Sequence, residues 1–149
     1  LLIRGSETKD GFKAQKFHEK CDGKGPTLLL LKIHTGEILG GYNHQSWNQK
    51  KINIINLKTN KSFIFRLNEN NPENSLIGKP ARTILLFNLA KEPGLLFGQD
   101  LCLKKDFKDE NNYCKKSVYN SKIRDTSEKF SVEDYEVFQI FEREEQAIN

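Results

Sequence analysis

The sequence predicts a mainly β domain, an antiparallel two-sheet β-sandwich flanked by a few short helices. Three observations carry this. Between Gly25 and Trp47 (GPTLLLLKIHTGEILGGYNHQSW) two apolar runs flank a Thr35-Gly36 turn, the pattern of a β-hairpin. Short runs of strand-forming residues recur along the chain, about six to eight in all, against one clear amphipathic helix. Strands and helices do not alternate, which excludes a doubly wound α/β fold.

In chain order, Leu1-Leu2-Ile3-Arg4 predicts an edge strand or a segment docked against the sheet. Residues 5–9 are polar and loop-like. Asp10 is placed to cap a helix running from about Gly11 to Cys21, in which Ala14, Phe17 and Cys21 share one face and Lys13, Lys16, His18, Glu19 and Lys20 take the others. Gly23 and Gly25 stand where helices end, and Pro26 turns the chain extended. The leucine run after it shows no polar alternation and is expected to be buried on both faces. Residues 48–60 are rich in Asn and Lys, with a weak apolar run over 52–57. Ser62 to Leu67 is a strand with Phe63, Phe65 and Leu67 on one face and Ile64 on the other. A polar loop containing Pro72 follows, then a dense apolar run over 81–89 that should partner a central strand. Lys91-Glu92-Pro93-Gly94 is a turn. Leu95-Leu96-Phe97-Gly98 and Leu101-Cys102-Leu103 flank Gln99-Asp100, with Gly98 marking a bulge or a close backbone approach. Residues 104–116 read as a charged surface loop and Val118-Tyr119 as a short strand. The run from Tyr135 to Phe141 closes the chain as a last strand.

Composition bounds the function. A chain of 149 residues is one domain, and at that size roughly two-thirds of the unfolded surface is buried. The lack of methionine and the start at Leu1 lead us to expect a domain cut from a longer protein. The net charge of +4 comes from 24 basic and 20 acidic residues. Its lysines are scattered along the sequence, which favours a solvated surface over nucleic-acid binding. No apolar run approaches the roughly 20 residues of a membrane span. Three cysteines, an odd number without CxxC spacing, fit a reducing, cytoplasmic setting better than a disulfide framework.

Motifs with chemistry are sparse. Gly23-Lys24-Gly25 fails as a phosphate loop, because Gly25 stands where Ser or Thr is required and a Pro-led strand follows. His18 and Cys21 sit at i, i+3 on the helix, but no other His or Cys pair has structural-zinc spacing, so neither metal nor cofactor is expected. Cys102 alternates with leucines and reads as buried. Cys114 lies beside Lys115 and Lys116, whose charges should favour a thiolate. Asp100, Asp134 and Glu136 adjoin apolar segments and need a pairing or binding reason. Tyr42 and Trp47, beside Gly40-Gly41, form either a partner surface or packing over a bulge.

Several of these pieces, in this order and spacing, resemble the TLD (TLDc) domain of the oxidation resistance proteins, especially its protist and fungal versions. They are Asp10-Gly11-Phe12 with Phe17-His18 and Cys21-Asp22, then Gly25-Pro26-Thr27 with Gly40-Gly41-Tyr42 and Ser46-Trp47, then Ser62 to Leu67. Phe97-Gly98 with Asp100-Leu101 and Phe130 to Phe138 complete the set, Phe138 standing where many members carry Trp. The resemblance implies an antiparallel β-sandwich without an established catalytic centre. It also implies oxidative-stress protection and, as for several animal and yeast members, control of the vacuolar proton-pumping ATPase through binding. The expected function is therefore that of a non-catalytic, monomeric interaction domain. Its signature or partner-binding positions would be Gly40, Gly41, Tyr42, Trp47, Gly98, Asp100, Asp134 and Glu136, with partner preference set in residues 48–60 and 104–129. The competing expectation is a redox scavenger using Cys114 or Cys102.

Overall fold

The computed structural model describes residues 1–7, 11–47, 61–79, 94–97, 100–116 and 119–143. Among them are strands β1 (Ile3–Arg4), β2 (Thr27–Ile33), β3 (Ile38–Asn43), β4 (Phe63–Leu67), β5 (Leu76–Gly78), β6 (Leu95–Phe97), β7 (Leu101–Leu103) and β8 (Val132–Gln139), and helix α1 (Ala14–Cys21). Single 3₁₀ turns lie at Gly5–Glu7 and Pro72–Asn74. Every pairing among these strands is antiparallel. One six-stranded sheet runs in the order β1-β8-β2-β3-β4-β5, and β6 pairs with β7 in a second sheet. The mainly β, two-sheet class predicted from the sequence is the one observed.

The β2–β3 hairpin sits at the centre of the large sheet. Thr27 to Lys32 pair with Asn43 back to Ile38, and the turn closes on Gly36, whose φ of +89° favours glycine. The leucine run is not buried on both faces. Leu29, Leu31 and Ile33 are buried, Leu28 and Leu30 are half-buried, and Lys32 is exposed. An apolar run therefore still alternates in burial, because the inner face receives α1 and the small sheet. On β4, Phe63 and Phe65 face outwards with Leu67, and Ile64 inwards, as the pattern required. The last strand begins at Val132 and ends at Gln139, short of Phe141, which is 77% exposed.

Helix α1 starts at Ala14, three residues later than the sequence pattern suggested. Its N-cap residue is Lys13, which makes no side-chain cap bond but pairs with Asp106 at 2.7 Å. The buried face holds Ala14, Phe17 and Cys21 as expected, and also His18. A histidine assigned to the solvent face is thus buried, because Nδ1 bonds Asp22 at 2.7 Å and its ring lies edge-on to Phe17.

Residues 104–116 are not a free surface loop. Phe107 and Asn112 are buried, and bridges Lys13↔Asp106, Cys102↔Tyr113 and Asn112↔Phe130 stitch the segment to three other parts of the chain. The Asn112 amide accepts from Lys104 N–H and donates to the carbonyls of Phe107 and Asp109, so a residue that looks like loop chemistry organises a buried turn. The Asp10 cap, the apolar runs over 52–57 and 81–89, the bulge at Gly98 and the strand position of Val118 lie outside the described residues.

Candidate functional site

The signature residues fall into three separate places. The first is the double glycine of β3. Gly41 shares the inner face with Leu29 and Ile64, and the ring of Phe97 from the small sheet lies directly on it. A Cβ there would stand 2.5 Å from Phe97 Cζ. Trp47 closes over the same ring edge-on, with centroids 5.3 Å apart, and stacks edge-on against Phe17 at 5.5 Å. Its indole N–H donates to Thr27 Oγ1 at 2.8 Å. Gly40 points to the opposite face, beneath Phe65, its cross-strand partner. Tyr42 also faces outwards, tilted against Phe63 and hydrogen-bonded to His44 Nδ1 at 2.8 Å. Tyr42 and Trp47 therefore stand on opposite faces of the sheet and form no common patch. The double glycine is what lets an aromatic ring lie on each face of one strand.

The second place is the junction of the N-terminal segment with β8. Asp134 Oδ1 accepts the N–H groups of Ser6 and Tyr135, and Glu136 pairs with Arg4 at 3.4 Å. The Tyr135 hydroxyl donates to the Gly11 carbonyl. Both acids thus fasten the N-terminal segment to the last strand.

The third place is a cleft of about 670 Å³. Ile64, Ile123, Tyr113, Cys114 and Asp100 contribute to its wall, with Lys115, Lys116, Lys122 and Lys129 around it. Asp100 is buried and accepts the Tyr119 N–H. Arg124 is also buried, and its donors are engaged. Nε and Nη2 grip the Glu37 carboxylate at 2.9–3.3 Å, Nη1 donates to the Glu128 carbonyl at 2.6 Å, and the guanidinium stacks over Phe130. The Arg124 hydrogen bonds hold the Glu37 carboxyl below its usual range. This pair ties the hairpin turn to the cleft-forming loop.

Cys114 departs from expectation. Burial pushes its thiol up to about 12, outweighing the cationic neighbourhood that the sequence suggested would favour a thiolate. Burial likewise raises Cys102. Among the described residues, no three His, Cys, Asp or Glu side chains converge as a metal site would require. Asp100 is the signature residue that the fold brings to the cleft, and Gly98 lies outside the described residues. The sequence reading missed Arg124 entirely. Its only local signal is a lone arginine after an isoleucine in a polar stretch, and its partner is 87 positions away.

The family model for the TLDc domain matches residues 6–141. Among curated proteins, TBC1 domain family member 24 of Xenopus laevis is 30% identical over 69 residues, which is 44% of this chain and 12% of that protein. The similarity thus takes in a small part of that relative's length.

Proposed function

The chain belongs to the TLDc domain family, and from that premise we propose a non-catalytic interaction domain that serves oxidative-stress protection by binding the vacuolar proton-pumping ATPase. The family match across residues 6–141 carries this reading. The state of the cysteines supports its non-catalytic side. A thiol scavenger needs a thiolate, and burial keeps the thiols of Cys102 and Cys114 protonated at neutral pH. None of the three cysteines is joined in a disulfide, which suits a reducing cytoplasmic setting.

The test is capture of purified proton-pump subunits by the immobilised chain. Retention that survives physiological salt supports the reading, and failure to retain any subunit removes the proton pump as partner. A peroxide-consumption assay runs beside it. Rapid consumption abolished by Cys102→Ser/Cys114→Ser would replace the interaction domain with a redox scavenger.

A further inference from the structure

We propose that the cleft bounded by Tyr113–Lys116 and the 121–129 loop is a docking site for an acidic segment of a partner protein carrying one apolar side chain. This rests on the interaction-domain reading and specifies the chemistry of the partner. Lys115 and Lys116 are adjacent, while Lys122 and Lys129 belong to the next loop, and the fold places all four, exposed, around one cavity. Among the described residues none of them lies within ion-pair distance of a carboxylate. The acids at the same cleft have partners already. Asp100 accepts the Tyr119 N–H, and Asp125 pairs with Arg66 at 3.5 Å. Asp100 thus sets one negative charge against the four lysines, and the rim stays net positive among the described residues, which calls for an anionic occupant.

The kind of anion follows from the donors. A compact phosphate site commonly adds a guanidinium fork or converging backbone N–H groups to any lysines it uses. Here the fork is spent, since Arg124 is held by Glu37 and the Glu128 carbonyl. What remains are long, flexible ammonium groups that act as spaced point charges, suited to several carboxylates on an extended chain. The wall between them presents the half-buried Tyr113 and Cys114 and includes the buried Ile64 and Ile123. A cavity of about 670 Å³ lies within the size range of ligand pockets and has room for a buried side chain. An apolar anchor inside a charged rim is the usual anatomy of a small protein interface.

Fluorescence anisotropy of a short fluorescein-labelled Asp/Glu peptide with one central leucine tests this. Saturable binding to the chain is expected. Lys115→Glu/Lys116→Glu/Lys122→Glu/Lys129→Glu should weaken it by at least about tenfold. Reversing Lys24, Lys32, Lys61 and Lys105, exposed lysines outside the cleft lining, makes the same change in net charge and should cost less than about twofold. Replacing the peptide's leucine by glycine should cost about tenfold. A second variant with Gln at the four cleft positions should also lose binding, and urea midpoints of every variant confirm folding. Equal loss in the cleft and control variants overturns the proposal, as does indifference to the leucine. Displacement of the peptide by inorganic phosphate, by single-stranded DNA or by phosphatidylserine vesicles at lower concentration than unlabelled peptide also overturns it. Absence of peptide binding sinks the cleft alone, since subunit capture reads every surface of the chain.

Discussion

Gly41 occupies a point where any side chain must displace an aromatic ring. Its backbone is not in the left-handed region, so the constraint is space and not φ. Phe97 cannot yield easily, because it belongs to the core and Trp47, partly buried against that core, is packed edge-on against it. Gly41→Val should therefore destabilise the fold by about 1–3 kcal/mol through overpacking. An unchanged urea midpoint would contradict this. Arg124 presents the opposite situation, a charge buried because Glu37 neutralises it. Glu37→Ala strands that guanidinium and should cost about 3 kcal/mol, while Glu37→Gln, which still accepts a hydrogen bond, should cost less. The pair also fixes a pH dependence. Glu37 titrates lower in the folded chain than unfolded, so its stabilising contribution is complete above the ordinary glutamate value of about 4.3. It fades as pH falls through the lower folded value. Wild type should thus lose more stability than Glu37→Gln between about pH 5 and pH 3, and parallel profiles for the two proteins would refute the assignment.

At the scale of elements, the β2–β3 hairpin was legible because its signals are local. A Pro-led apolar run, a Thr-Gly turn and a second run settle pairing and turn together. Gly36→Ala should cost roughly 1–2 kcal/mol by forcing a side chain into the left-handed region that φ of +89° requires. A melting temperature within a degree or so of wild type would show that the turn relaxes instead. Strands β4 and β8 were legible for the same reason. The start of α1 was not. Asp10 resembles a cap in sequence, yet the helix begins at Ala14, whose N–H donates to the Lys105 carbonyl. A tertiary partner there replaces the local cap. Residues 104–116 hid their order similarly, since burial of Phe107 and Asn112 depends on bridges to Lys13, Cys102 and Phe130. The acids on β8 were flagged by their apolar neighbours, but which cation or amide would satisfy each could not be read from the chain. The four-lysine cleft was legible only in part: its lysines lie in the 104–129 stretch expected to set partner preference, but the meeting of Lys115-Lys116 with the 121–129 loop around one cavity could not be read from the chain.

Across the whole molecule, the two ends of the chain meet in the large sheet. Strand β8 lies between β1 and β2, pairing Thr27 to Ile33 with Gln139 back to Val132. It also brings Tyr135 and Val137 into the core beside Leu29, Leu31 and Phe107. No earlier segment of the described chain can close the central hairpin on that side, so the sheet is complete only when the last strand has docked. Pairings this distant in sequence make folding slow and cooperative, with loop closure incurred before the contacts form. Ending the chain at Ser131 exposes the inner leucines of β2 and leaves its edge unpaired, a template for association with other chains. The shortened protein should show no cooperative urea transition, and it should aggregate where the full chain remains monodisperse by light scattering. Adding a synthetic peptide spanning residues 132–141 should restore part of the transition, because the strand's pairings are supplied in trans. A cooperative transition in the shortened chain alone, with the midpoint of the full chain, would mean that β2 and β3 hold the core without β8.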